Sequence, residues 1–284
     1  MFIRVTLFAA ALIVFTLPVT TSAAPVVFST AGANAAAIQA QVDAFRSQLG
    51  TLNPNVAGSF GSGRREINWD GVPDALSAPN NLPANFFNSN SPRGAVFSTP
   101  GTGFQVSANA GIAPIEFDNL NPNYSAQFQT FSPQRLFTAL GSNILDVNFF
   151  VPGTNTPALV SGFGSVFVDI DLLNVTSIQF FDQNNSSLGT FFAPVANNGL
   201  SFLGVFFNAG ELISRVRITN GNSALGPNEG GGVDVVVMDD FIYSEPQAAA
   251  VPEPATMLLL GTGLAGVAAR ARRRRKATKD AAVA

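Results

Sequence analysis

From about Ala95 to Tyr243 the chain repeats a pattern that few folds accommodate: short runs with apolar residues at every second position, broken by turns rich in Asn and Gly. Leu145, Val147, Phe149 and Val151 alternate with Asp146, Asn148 and Phe150, and Val166, Val168 and Ile170 alternate with Phe167, Asp169 and Asp171. Val216 and Ile218 alternate with Arg215 and Arg217. Period two with one polar face marks antiparallel sheet, because successive side chains of a strand point to opposite faces. Asp182–Ser187 separates two Phe-rich runs, Ser177–Phe181 and Leu188–Phe192, as a hairpin loop does. Many such strands at short spacing predict a mainly β fold, an antiparallel β-sandwich of jelly-roll-like form over 95–246.

The preceding stretch, 25–94, reads as a helix followed by loops. Ile38, Val42, Phe45 and Leu49 fall on one helix face, with Asn34 placed to cap the start and Gly50 to stop the end. This N-terminal amphipathic helix must pack on the sandwich. Thr51–Asn90 is dense in Gly, Pro, Asn and Ser and keeps no period, which predicts surface loop. Within it lies the string from Gly63 to Asp74, with the only Trp of the chain, Trp69, beside Arg64, Arg65, Glu66 and Asp70. Either Trp69 with Asp70 and Arg65 forms a sugar or peptide contact, or Trp69 anchors a long loop to the core while Arg64, Arg65 and Glu66 stay solvated.

Absences restrict the chemistry. The chain has no His and no Cys, which removes Ser-His-Asp and Cys-His nucleophiles and ordinary structural zinc sites. No lysine precedes Lys276, so a Ser-Lys pair in the body is excluded as well. Proton transfer would fall to carboxylates or to Tyr124 and Tyr243, and no carboxylate pair stands out, so a non-enzymatic role is expected. Between Pro25 and Ala250 seven arginines face 16 acids, a net charge of −9, which argues against a nucleic-acid partner. Without a disulfide, stability must come from the core that 26 phenylalanines can build.

The two ends carry an address. Met1–Ala24 has one early positive charge at Arg4, an apolar core over Val5–Leu17 and small residues at Ser22, Ala23 and Ala24, the layout of a secretory signal peptide. At the other end, over 247–284, Val251, Pro252, Glu253 and Pro254 precede an apolar run from Ala255 to Ala269. Arg270, Arg272, Arg273, Arg274, Arg275 and Lys276 then form a cationic cluster that resists crossing a membrane and stays cytoplasmic. This order predicts a C-terminal transmembrane helix, although the 15 apolar residues, at about 1.5 Å each, are short for a hydrocarbon core of about 30 Å. The tail, with its Pro-Glu-Pro signature, Gly- and Leu-rich run and terminal arginines, resembles the PEP-CTERM protein-sorting tail of Gram-negative bacteria. The resemblance implies an exosortase-type membrane protease as partner, cutting near Pro252–Pro254. It also implies export across the inner membrane and a membrane-anchored stage before the protein reaches the cell surface or the outside.

Two candidate sites follow. On the last strand Asp239 shares a parity with Val235, Val237 and Phe241, so an inward-facing Asp239 needs hydrogen-bond donors or a metal. The pattern resembles extracellular carbohydrate-binding jelly rolls that carry structural Ca²⁺ near an Asp of the final strand, which implies a site of Asp239 with Glu116 or Asp118 from a strand at Pro114–Leu120. A ligand site would need Trp69, Tyr124 or Tyr243 exposed together on one concave face. The expected function is that of an exported, non-catalytic surface or extracellular-matrix-associated protein, with extracellular polysaccharide as a partner. The alternative is a carbohydrate-binding module, and a glycosidase ranks third, requiring two carboxylates about 5 to 9.5 Å apart.

Overall fold

A computed structural model describes residues 24–227, 231–249 and 256–280, with side chains of the last segment described at 260–272. The chain opens on strand β1 (Val26–Gly32) and helix α1 (Ala35–Leu49), then crosses a loop to β2 (Arg64–Ile67) and the short helix α2 (Phe86–Ser89). Next come β3 (Ala95–Ser98), β4 (Gly103–Val106), the short helix α3 (Tyr124–Gln127), β5 (Phe137–Leu140), β6 (Ile144–Phe149) and β7 (Ala158–Leu159). The remainder is β8 (Gly162–Ile170), β9 (Ser177–Phe181), β10 (Ser187–Phe192), β11 (Ala196–Phe206), β12 (Arg215–Thr219), β13 (Val237–Ser244), β14 (Gln247–Ala248) and helix α4 (Thr256–Asp280).

The strands form two packed antiparallel sheets, so the molecule is mainly β and sandwich-like. The larger has the order β1-β11-β8-β13-β5-β4, with β2 added to β13, and the smaller β10-β9-β12-β6-β3. The hairpin expected around Asp182–Ser187 is β9–β10. The 25–94 stretch is more than helix and loop, since β1 is an edge strand on β11 and β2 pairs with β13. Both lie in segments too short or too interrupted by Gly and Asn to declare a period.

Between the sheets lies an aromatic core that includes Phe97, Phe137, Phe149, Phe163, Phe180 and Phe241. A second apolar layer covers the outer face of the larger sheet, where Ile38, Val42, Phe45 and Leu49 of α1 meet Val166, Val168, Leu200 and Phe202. The helix forms as its sequence requires: the Asn34 side chain accepts the Ala37 N–H at 3.2 Å, and Gly50 ends it at φ 94°. Phe45 can sit flat on the sheet because Gly164 and Gly204, paired across β8 and β11, leave room; a Cβ on either would lie 2.9 Å from its ring. The larger sheet is thus covered on both faces, and every residue of β8 and β13 is buried.

That double burial changes what strand parity means. Val235 and Val237 face the helix layer, while Met238, Phe241 and Tyr243 face the sandwich core. Met238 and Phe241 are three apart, so the alternation slips between them, where the pairing of β13 with β8 shifts register. Asp239 and Asp240 occupy this bulge. An extra residue in one strand lets two neighbouring side chains turn to one face.

Candidate functional site

Both carboxylates of the bulge point to the helix side and meet the segment at Phe131–Ser132. Asp239 Oδ2 accepts the N–H of Phe131 at 2.6 Å and of Ser132 at 3.2 Å. The Ser132 hydroxyl lies 3.1 Å from Asp239 Oδ1 and 2.6 Å from Asp240 Oδ1. A hydroxyl has one proton to donate, so the second short contact calls for a proton on a carboxyl oxygen. Asp239 Oδ1 is the place for it, since Oδ2 already takes two backbone donors. Burial pushes the Asp239 carboxyl well above the usual carboxylate range, and the charge of Asp240 adds to this, against the lowering effect of Phe131 and Ser132. Burial raises Asp240 too, while Ser132, Asp239 and Arg46 pull it back, so Asp240 carries the charge of the pair.

Arg46, in the last turn of α1, balances that charge. Its Nη2 donates to Asp240 Oδ2 at 3.1 Å and to Glu66 Oε2 at 2.9 Å, its Nε to Glu66 Oε1 at 3.1 Å, and its Nη1 to Asp43 at 3.2 Å. Arg64 adds a second contact to Glu66 at 2.6 Å. The group opens on a cleft of ≈ 300 Å³ lined by Arg46, Asn53, Asn55, Glu66, Asn68 and Ser132. Chemically the bulge holds one proton and one charge in reserve beneath a polar cleft. The Asp240 side chain is only 2% exposed, so its first role is to join helix, loop and sheet.

The structure does not assemble the calcium site. Pro114–Leu120 is not a strand but a turn around Ile115–Phe117, with Glu116 and Phe117 at positive φ. Glu116 is half-buried there, burial alone raising its carboxyl to about 7. Asp118 continues the same turn. The Asp239 carboxylate is met instead by backbone N–H groups and Ser132. Among the described residues no group of three acidic side chains could hold a metal ion. The ligand-site residues are elsewhere too. Trp69 is 1% exposed, stacked on Phe137 at 4.0 Å, with its indole N–H donating to the Asp239 carbonyl at 2.9 Å. Tyr124 and Tyr243 are fully buried, their hydroxyls donating to the carbonyls of Gly226 and Arg93. Three buried rings make no concave recognition face, and Trp69 is an anchor of its loop.

A second buried cluster closes the end of β13. Arg65, which the two readings of its loop left either in a ligand contact or solvated, is completely buried. Its Nε and Nη2 grip Glu245 at 2.6 and 2.8 Å, and its remaining N–H groups reach the carbonyls of Pro54, Gly58 and Pro92. Asn53 and the Phe60 N–H complete the shell of Glu245. One guanidinium thereby gathers the 53–63 loop onto the last long strand. Nothing in local sequence marks Arg65 over Arg64; a strand that turns alternate residues inward is the only signal, and β2 is four residues long.

Beyond Glu245 the chain runs over the surface as β14, pairs with β7, and reaches the residues that carry its address. Residues 250–274 match the family model of the PEP-CTERM protein-sorting motif. No curated protein and no solved structure matches the chain. The chain therefore carries a PEP-CTERM motif, which implies an exported protein with a C-terminal membrane-anchoring sorting signal that is processed by an exosortase. The signal peptide expected over 1–24 and the sorting residues Val251, Pro252, Glu253 and Pro254 lie outside the described residues, apart from Ala24. The apolar run and the arginines share one helix, α4, and Arg270 and Arg272 fall within it. Among the described residues no helix is long and apolar enough to cross a membrane. The apolar part of α4, at about 1.5 Å per residue, reaches roughly 20 Å, so the span expected at Ala255–Ala269 depends on its flanks.

Proposed function

We propose that the protein is an exported, non-catalytic structural or adhesive module of the cell surface or extracellular polysaccharide, a jelly roll delivered by its PEP-CTERM tail. The observation that carries this reading is the sorting motif at 250–274, joined to a folded sandwich that ends one residue before it. The strand order supports the jelly roll: β5-β13-β8-β11 in one sheet and β6-β12-β9-β10 in the other make the chain change sheets at nearly every step, as two Greek keys do. The chemistry of the body supports a role without catalysis. It has no His, Cys or Lys, and the carboxyls of its proton-holding pair are engaged by Phe131, Ser132 and Arg46.

Mass spectrometry of the C-terminus, on protein from membrane and external fractions of the native host, tests the reading. An end between Val251 and Pro254 in the external fraction is the expected result; an intact arginine tail found only in membranes would make the helix a permanent anchor and overturn release by the tail. One observation favours a carbohydrate-binding module as second reading, namely the amide- and carboxylate-lined cleft of ≈ 300 Å³ beside Arg46. Paired amides and carboxylates suit sugar hydroxyls. Saturable heat on titration with the host's own polysaccharide, lost in Asn68→Ala, would favour that reading.

A further inference from the structure

The folded domain and the sorting motif meet with almost no chain between them. Glu245 is locked by Arg65 and Pro246 is buried, whereas Gln247 and Ala248 are exposed. These two residues form the whole of β14, paired with Leu159 and Ala158 of β7. Three further contacts hold the strip: the Ser59 hydroxyl donates to the Pro246 carbonyl, the Gln247 amide to the Phe60 carbonyl, and the Ala249 N–H to the Pro157 carbonyl. It runs between two clefts of ≈ 440 and ≈ 250 Å³, Gln247 and Ala248 lining the first and Ala249 the second, so little packs beneath it. The motif match begins at the next residue, Ala250.

A protease that reads this motif meets a shortage of main chain. Extended peptides are gripped largely through backbone hydrogen bonds, and Pro252 and Pro254 have no N–H to give. Upstream of them only Ala250 and Val251 separate the prolines from Gln247, Ala248 and Ala249, whose main chain the structure engages on the domain. Reach is short as well. The six residues 250–255 span at most about 20 Å between the domain and α4, at roughly 3.3–3.6 Å each, and freeing 247–249 adds about 10 Å.

We propose that β14 is a detachable strap: the exosortase acts on the form in which Gln247–Ala249 has left β7, so the strength of the β7–β14 ladder sets the rate of tail removal. Two-residue ladders open easily, while the Arg65–Glu245 lock keeps the opening from spreading into β13. The proposal rests on the reading that the tail is cut.

The chain has no cysteine, which makes the test clean. Ala158→Cys with Ala248→Cys places two thiols at directly paired positions. Full-length protein carrying both, oxidised or reduced, is incubated with host membranes and its C-terminus followed by mass spectrometry, with the parent chain treated alike. Tail removal at least tenfold slower in the oxidised protein, restored by reductant, is expected, and Ser59→Ala with Gln247→Gly should accelerate removal several-fold. Equal rates in the oxidised and reduced forms, both melting as the parent does, would overturn the strap while leaving tail processing intact. A parent that keeps its tail under every condition would overturn both.

Discussion

Asp239 and Glu245 are buried carboxyls six residues apart in the chain, and the protein neutralises them in opposite ways. Glu245 has a cation of its own, the two-point grip of Arg65. Asp239 has none: it takes two backbone N–H groups, a hydroxyl and a proton, and passes the charge of the bulge to Asp240 and Arg46. The first joint is built around an ion pair, and the second around a proton. In a domain without disulfides both do the work of cross-links, pinning the 53–63 loop and α1 to the same strand.

Removing the guanidinium is the strongest way to break the comparison. Arg65→Ala leaves Glu245 charged and alone in the interior and should cost about 3–5 kcal/mol in denaturant unfolding, while Arg65→Met with Glu245→Leu should recover most of that loss. Arg46→Met should cost less, about 2 kcal/mol, because Arg46 is 21% exposed and water takes over part of its work at Asp240. Ser132→Ala, which removes the hydroxyl between the two carboxyls, should cost about 1–2 kcal/mol and no more at high salt than at low.

Asp239→Asn gives the smallest change and the most discriminating one. Its folded pKa is raised, so the native state holds a proton that the unfolded chain releases above about pH 4. Stability from this site is full below that pH and declines as pH rises toward the folded value. Asp169, which burial pushes to about 6, and Glu116, at about 7, act with the same sign. Asn keeps the neutral hydrogen bonds, so Asp239→Asn should lie within about 1 kcal/mol of the parent near pH 4 and gain on it toward pH 8. Melting temperatures across that range decide the matter: a variant whose slope with pH equals the parent's would mean that Asp239 is ionised in the fold.

Much of the architecture was legible because it rests on local signals. The α1 face, its Asn34 cap, its Gly50 stop and the β9–β10 hairpin stand where period and turn chemistry place them. The carboxylate sites were half legible. An inward Asp239 could be read from parity, yet the partner set could not, because the larger sheet is buried on both faces and a bulge moves Asp240 to the same side. Arg65 and Arg64 are equivalent in sequence, and only the long-range return of Glu245 separates them. Trp69 was open to two readings because its stacking partner, Phe137, lies far along the chain. The address at 250–274 was plain throughout, since a sorting signal is read as sequence by its receptor rather than built by tertiary contacts.

The pairing of β1 with β11 and of β2 with β13 has a consequence for how such a chain travels. Val26 must find Phe206 and Phe241 must find Ile67 before the larger sheet is complete. Loops that long close slowly, because their entropy is lost before distant contacts repay it. A polypeptide that leaves the cytoplasm N-terminus first therefore exposes its opening strands long before their partners emerge. The larger sheet can close only when both ends of the body are present together, so a partly emerged chain stays unfolded there.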